Sequence, residues 1–91
     1  MRKSDLVAQV SERTDLAAKK ASDVVDVIFE EITNALSRAE PVNITGFGAF
    51  SQRHRSARTG RSPKTGEPVS IDASNSVGFK PGKGLKDAVN S

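Results

Sequence analysis

Apolar residues recur at spacings of three and four between Leu6 and Leu36, then at every second position from Val42 onward, so helices come first and strands follow. Leu6, Val7 and Val10 share one side of a first helix of about ten residues, with Ser4 as its expected N-cap and Asp5 near the positive end of its dipole. After the polar break Arg13-Thr14-Asp15, the positions Ala21, Val24, Val25, Ile28, Phe29, Ile32 and Leu36 define a longer second helix with a broad stripe expected to be buried. Asp23, Asp26, Glu30 and Glu31 keep its opposite side wet. Pro41 ends the helical region, and Val42 and Ile44 alternate with Asn43 and Thr45 in a short strand. Gly46-Phe47-Gly48 turns the chain into a second strand beginning Ala49-Phe50. Val69, Ile71 and Ala73 share one face of a return strand; Phe79, Leu85 and Val89 are late apolar anchors, and Pro81-Gly82 introduces a short final helix.

Between the second strand and its return lies SQRHRSARTGRSPKTG, residues 51–66, which holds Arg53, Arg55, Arg58, Arg61 and Lys64 and no Asp or Glu. Successive strand side chains point to opposite faces, so Arg53 and Arg55 share one face while His54 and Arg58 occupy the other, and neither can sit on a core. Closed by the turn signal Ser62-Pro63-Lys64-Thr65-Gly66 and followed by the alternating VSIDA, the segment predicts a two-stranded arm in solvent. At about 3.3 Å per residue, nine or ten residues reach roughly 30 Å, enough to curl around a duplex. Charges that only protect an exposed edge from aggregation need one or two residues of either sign. Five cations, four of them Arg, instead suit phosphate contacts and insertion into a minor groove.

Composition sharpens this. Only 35% of the 91 residues are hydrophobic, and an arm that buries nothing leaves the remainder near the size at which a domain needs a staple or a partner. Cysteine is absent and histidine occurs once, so disulfides and a usual zinc site are excluded and oligomerisation is left. No signal-like h-region and no membrane-length apolar run occurs, which makes a cytoplasmic location the expectation. The net charge of +3 is lopsided: residues 1–50 carry six cations and eight acids, residues 51–91 eight cations and three acids. The first half is thereby assigned to packing and the second to an anionic partner.

Smaller features each carry two readings. Pro63 presets φ at the second position of a β-turn, and it would equally serve as an apolar wedge between base pairs. Lys80, Lys83 and Lys86 surround FKPGKGLKD; with a helix starting near Gly82, Lys83 and Lys86 share a face, and the first-turn amides add an anion site. His54 reads as an exposed strand residue that, near phosphates, adds weakly to binding. GFGAF and PGKGLK complete neither glycine-rich nucleotide motif, and Asp23, Asp26 and Glu30 lack the base, nucleophile or ligand set of a catalytic site.

NITGFGAF, RHRSARTGRSPKTGEPVSI and FKPGKGLKDAVN, preceded by two amphipathic helices, together resemble the bacterial HU and integration-host-factor family of histone-like DNA-bending proteins, more closely its HU branch. The resemblance spans essentially the whole chain. It implies an α+β fold: an intertwined dimer with an α-helical body, a β-sheet saddle and two protruding β-hairpin arms that embrace the minor groove. By the same resemblance Arg55, Arg58 and Arg61 are arm contacts to DNA, Pro63 the intercalating tip, and Lys3, Lys80, Lys83 and Lys86 body contacts to the flanking backbone. Gly46 and Gly48 match the loop beneath the saddle. Arg53 and Lys64 join the DNA-binding set on charge and position. Two positions depart from the pattern: Ser62 replaces the usual Asn before the proline, and Gly84 lies inside the last helix, where Gly costs about 1 kcal/mol relative to Ala and invites fraying.

The expected organisation is one domain: 1–40 helical and dimerising, 41–79 sheet and DNA-binding arm (the arm about 52–75), 80–91 the C-terminal helix. The dimer core is assigned to Val25, Ile28, Phe29, Ile32, Leu36, Phe47, Phe50 and Phe79. The expected function is an architectural, largely sequence-independent, non-enzymatic DNA-binding homodimer that bends or wraps duplex DNA, prefers nicked, gapped or bent DNA, and condenses the nucleoid without cofactor, metal, membrane or small-molecule substrate. Two rivals stay open: a subunit of a sequence-selective integration-host-factor-like heterodimer, and a dimeric scaffold for acidic proteins or lipids. With no Trp or Tyr, and with all four Phe in expected core segments, base-stacking recognition of single strands is disfavoured.

Overall fold

The computed structural model describes all of residues 1–91 and divides them into two compact units, Met1–Ala35 and Leu36–Ser91. The first unit holds helix α1 (Lys3–Thr14) and most of helix α2 (Ala18–Ser37). α1 starts two residues earlier than Ser4 would have it. Its N-cap is Arg2, whose backbone N–H donates to Asp5 Oδ2 at 2.8 Å, so the carboxylate at the third helical position does the capping and Ser4 lies inside the first turn. The helix stops at Asp15, which adopts the left-handed conformation (φ 60°), and the Ser11 hydroxyl donates to the Leu16 carbonyl at 2.6 Å across that break.

The apolar stripe of α2 is present, but one chain covers little of it. Ala21, Val25 and Leu36 are buried, Val24 and Ile32 are half-buried, and Ile28 and Phe29 are each 50% exposed. Val27, next to the stripe, is exposed as well. Asp26, expected fully in water, is half-buried and ion-paired to Lys3. No helix is long and apolar enough to cross a membrane.

The second unit is built on a three-stranded antiparallel sheet, β1 (Val42–Ile44), β2 (Gly48–Arg55) and β5 (Ser74–Pro81), with β2 central. A turn closed by Phe47 N–H to the Ile44 carbonyl at 2.9 Å joins β1 to β2, and Gly46 takes the positive φ of 85° that its third position demands. Phe50, Phe79 and Phe47 cluster on this unit with ring centroids 4.7 to 6.5 Å apart, and Gln52 Nε2 donates to the Leu36 carbonyl at 2.9 Å. Even so, Phe47 and Phe79 stay 45% and 39% exposed, so the expectation that every Phe is enclosed fails within a single chain. A thin apolar complement leaves nothing to cover them.

Strands β3 (Arg58–Arg61) and β4 (Pro68–Ile71) form the arm. Arg55 faces Ser74, Arg58 faces Ile71 and Arg61 faces Pro68, so the register of β2 against β5 continues into the arm with no residue inserted, although the ladder lapses at Ser56-Ala57 and Asp72-Ala73. The side chain of Ile71 lies over Gly60, where an added Cβ would sit 2.7 Å from its Cδ1. Val69, Ile71 and Ala73 of the return limb cover no core: all three are exposed, since the hairpin has left the sheet.

Helix α3 (Lys83–Val89) follows β5, so Lys80 and Pro81 belong to the sheet and not to the helix. It docks on the β1–β2 turn: Gly82 N–H donates to the Phe47 carbonyl at 2.8 Å. A Cβ on Gly84 would lie 2.7 Å from the Gly46 carbonyl oxygen, so Gly84 permits close approach and is not merely a weak point. Gly84→Ala should therefore lower the melting temperature, because the clash with backbone, of order 1–3 kcal/mol for overpacking, exceeds the propensity gain of about 1 kcal/mol. A rise in melting temperature would deny this contact.

Candidate nucleic-acid interface

Directly paired residues of an antiparallel sheet point to the same side. Register thus places Ala49, Ser51, Arg53 and Arg55 of β2 on one face with Lys80, Gly78, Ser76 and Ser74 of β5. Phe50, Gln52, Phe79 and Val77 lie on the other. One face is consequently a floor of small residues carrying three cations and no acid. His54 faces Asn75 from the opposite side, its Nδ1 2.8 Å from Asn75 Oδ1. Continuing the register, Arg61 falls on the same side as Arg55, and Arg58 on the side of His54, as strand parity predicts.

The tip is closed by Ser62 N–H to the Glu67 carbonyl and Gly66 N–H to the Ser62 carbonyl, both 2.8 Å, with Gly66 at φ 72°. Ser62 Oγ accepts a long bond from Lys64 N–H at 3.3 Å, the role an Asn side chain would otherwise fill in such a turn. Pro63 sits at the exposed apex. Arg61 Nη1 donates to the Gly66 carbonyl at 2.9 Å and braces the loop.

The ten expected contact residues therefore differ in readiness. Arg53, Arg55, Arg58, Lys64, Lys80 and Lys86 have side chains without an acceptor in the chain, and the arm's Glu67 and Asp72 form no ion pair. Lys3 is engaged by Asp26, Arg61 by its own tip, and Lys83 by Asp87 Oδ2 at 2.7 Å. Exposed pairs of this kind are weak, so a phosphate can displace them at small cost. α3 has only seven residues, its Gly82 N-cap amide is bonded to the Phe47 carbonyl, and Lys83 leans along the helix toward Asp87. Sequence reasoning missed the small-residue floor. Its signal was Ser74-Asn75-Ser76-Val77-Gly78, a strand of low intrinsic propensity that only pairing with β2 reveals.

Comparison with known proteins agrees with this geometry. Residues 1–90 match the family described as bacterial DNA-binding protein. The DNA-binding protein HU-alpha of Pseudomonas aeruginosa is 54% identical over 90 residues, covering 99% of this chain and 100% of that protein. DNA-binding protein HU-1 of Halalkalibacterium halodurans is 52% identical over 90 residues with the same coverage. Among solved structures, the Anabaena HU–DNA cocrystal structure superposes with a TM-score of 0.87 at 38% identity, covering 98% of this chain and 97% of that one. HU from Thermotoga maritima gives a TM-score of 0.65 at 31% identity over 98% of each chain. A match along the whole chain to the family, with relatives more than half identical, means that the chain belongs to the bacterial DNA-binding protein family, among the HU proteins.

Proposed function

We infer that this chain is an architectural DNA-binding protein that works as a dimer, lays a small-residue, cation-bearing sheet face and two arms along duplex DNA, and bends or wraps it. The observation that carries the reading is the row of cations without partners, Arg53, Arg55 and Lys80 on one sheet face, continuing into an arm whose register is unbroken. Contacts of this kind go to phosphates and carry no base information, so binding is largely independent of sequence and selectivity follows how cheaply a duplex is kinked. Nicked, gapped or bent duplexes are thereby preferred. The half-exposed Phe29, Ile28, Phe47 and Phe79 supply the apolar surface that a second copy covers, together with Val25, Ile32, Leu36 and Phe50. Its place of work is the bacterial nucleoid, which it compacts, and its chemistry is binding, not catalysis.

Titration of a labelled duplex of arbitrary sequence at rising salt tests this. Log K should fall linearly with log salt, at about −0.9 per phosphate neutralised. Salt-insensitive binding would contradict it. Lys80→Ala and Lys86→Ala should each flatten the slope, and Lys83→Ala should flatten it less, because Asp87 already competes for that ammonium. A larger effect at Lys83 would overturn this ranking.

A further inference from the structure

We propose that Gly78 is a positioning residue for DNA binding: having no side chain, it lets the guanidinium of Arg53 lie close against β5 at the foot of the arm, preset to receive a phosphate. The proposal rests on the DNA-binding reading above and adds to it a residue that carries no charge.

Glycine inside a strand weakens it, so its presence in the middle of β5 asks for a reason. Backbone conformation is not the reason, since only Gly46 and Gly66 among the glycines have positive φ. Close approach is. A Cβ on Gly78 would lie 2.7 Å from Arg53 Nη2 and closer still to Arg53 Nε and Cζ, and these three side-chain atoms are its nearest neighbours. Gly48 and Gly84, by contrast, would meet backbone oxygens or the Phe79 ring. At those two positions glycine serves the fold. At Gly78 what it accommodates is the far end of a flexible cation, which could swing away without disturbing the sheet.

Register explains how the two meet. Arg53 is paired with Ser76 and Gly78 with Ser51, so Arg53 reaches diagonally across the small floor on the face it shares with Lys80 and Arg55. The guanidinium finds no acceptor within the chain. It rests over the open space at Gly78 with its donor fork free, so that part of the ordering cost of a long side chain is met before a phosphate arrives. The benefit of presetting one such side chain corresponds to about three- to tenfold in affinity per subunit.

Duplex titrations over a range of salt, with thermal melts, on the wild-type dimer and on Gly78→Ala, Arg53→Ala and the double variant test the proposal. Gly78→Ala should leave the circular dichroism spectrum unchanged, keep or raise the melting temperature, and still weaken duplex binding by about three- to tenfold per subunit. Gly78→Ser, matching the serines beside it, should behave alike. Arg53→Ala should weaken binding at least as much and flatten the salt slope by about 0.9 per subunit. The double variant should bind like Arg53→Ala alone. Unchanged binding by Gly78→Ala, an undiminished effect of it in the Arg53→Ala background, or a fall in melting temperature would each overturn the proposal. Failure of the wild-type dimer to bind any duplex would overturn the DNA reading itself, and this proposal with it.

Discussion

Phe29→Ala is expected to lower the stability of the protein by about 3–5 kcal/mol, the cost of emptying a buried phenylalanine site. Within one chain Phe29 is 50% exposed, and a residue so placed contributes at most about half of the 1.5–3 kcal/mol that full burial of its side chain provides. The two magnitudes separate the alternatives. A chain that functions alone loses little, whereas a chain whose partner covers Phe29 loses a core residue in each subunit. Chemical denaturation should therefore show a large shift in midpoint, and that midpoint should rise with protein concentration, as mass action requires for a folded dimer. Sedimentation at low micromolar concentration should give twice the chain mass of 9.7 kDa for wild type. A concentration-independent loss near 1 kcal/mol, with a monomeric wild type, would place Phe29 outside any interface.

Pro63→Ala should abolish most of the bend while sparing most of the affinity for long DNA. None of the hydrogen bonds that close the tip involves Pro63: they run from Ser62, Gly66 and Arg61, so the hairpin has its own supports. The substitution removes no charge, and the counterion-release part of binding persists. If Pro63 is the wedge, what disappears is the apolar apex that would offset unstacking of a base step, a cost of a few kcal/mol. Energy transfer between labelled duplex ends, and the preference for nicked over intact duplex, should both fall more than affinity does. Should bending survive while the arm loses thermal stability, Pro63 is a turn residue and the kink arises elsewhere.

The parts of this protein legible in its sequence are those governed by local period and turn chemistry. The stripe of α2, the Gly46 turn, the parity of Arg53, Arg55, His54 and Arg58, and the Ser62–Gly66 tip follow from spacing alone, because each depends on near neighbours in the chain. The start of α1 escaped because Ser4 competes with Asp5, and a carboxylate reaching back one turn supports an earlier start. β5 escaped because Ser74-Asn75-Ser76-Val77-Gly78 has little strand preference of its own and is fixed by its partner β2. Which cations are engaged was equally invisible: Lys3 with Asp26 and Arg61 with Gly66 are matters of tertiary distance or loop geometry. Helix propensity alone marks Gly84 as a liability, because its close approach to the Gly46 carbonyl is not legible in the sequence.

One paired titration tests whether the protein is a dimer that binds duplex DNA through phosphates and favours DNA that kinks cheaply. Intact and nicked duplexes of the same sequence, labelled at both ends, are titrated with the wild-type protein at two salt concentrations, and the series is repeated with an unrelated sequence. Energy transfer should rise on binding, the nicked duplex should bind more tightly at both salts, affinity should fall steeply with salt, and changing the sequence should matter little. Equal binding of nicked and intact duplexes without any rise in transfer, or tight binding confined to one sequence, would rule out this mode of binding.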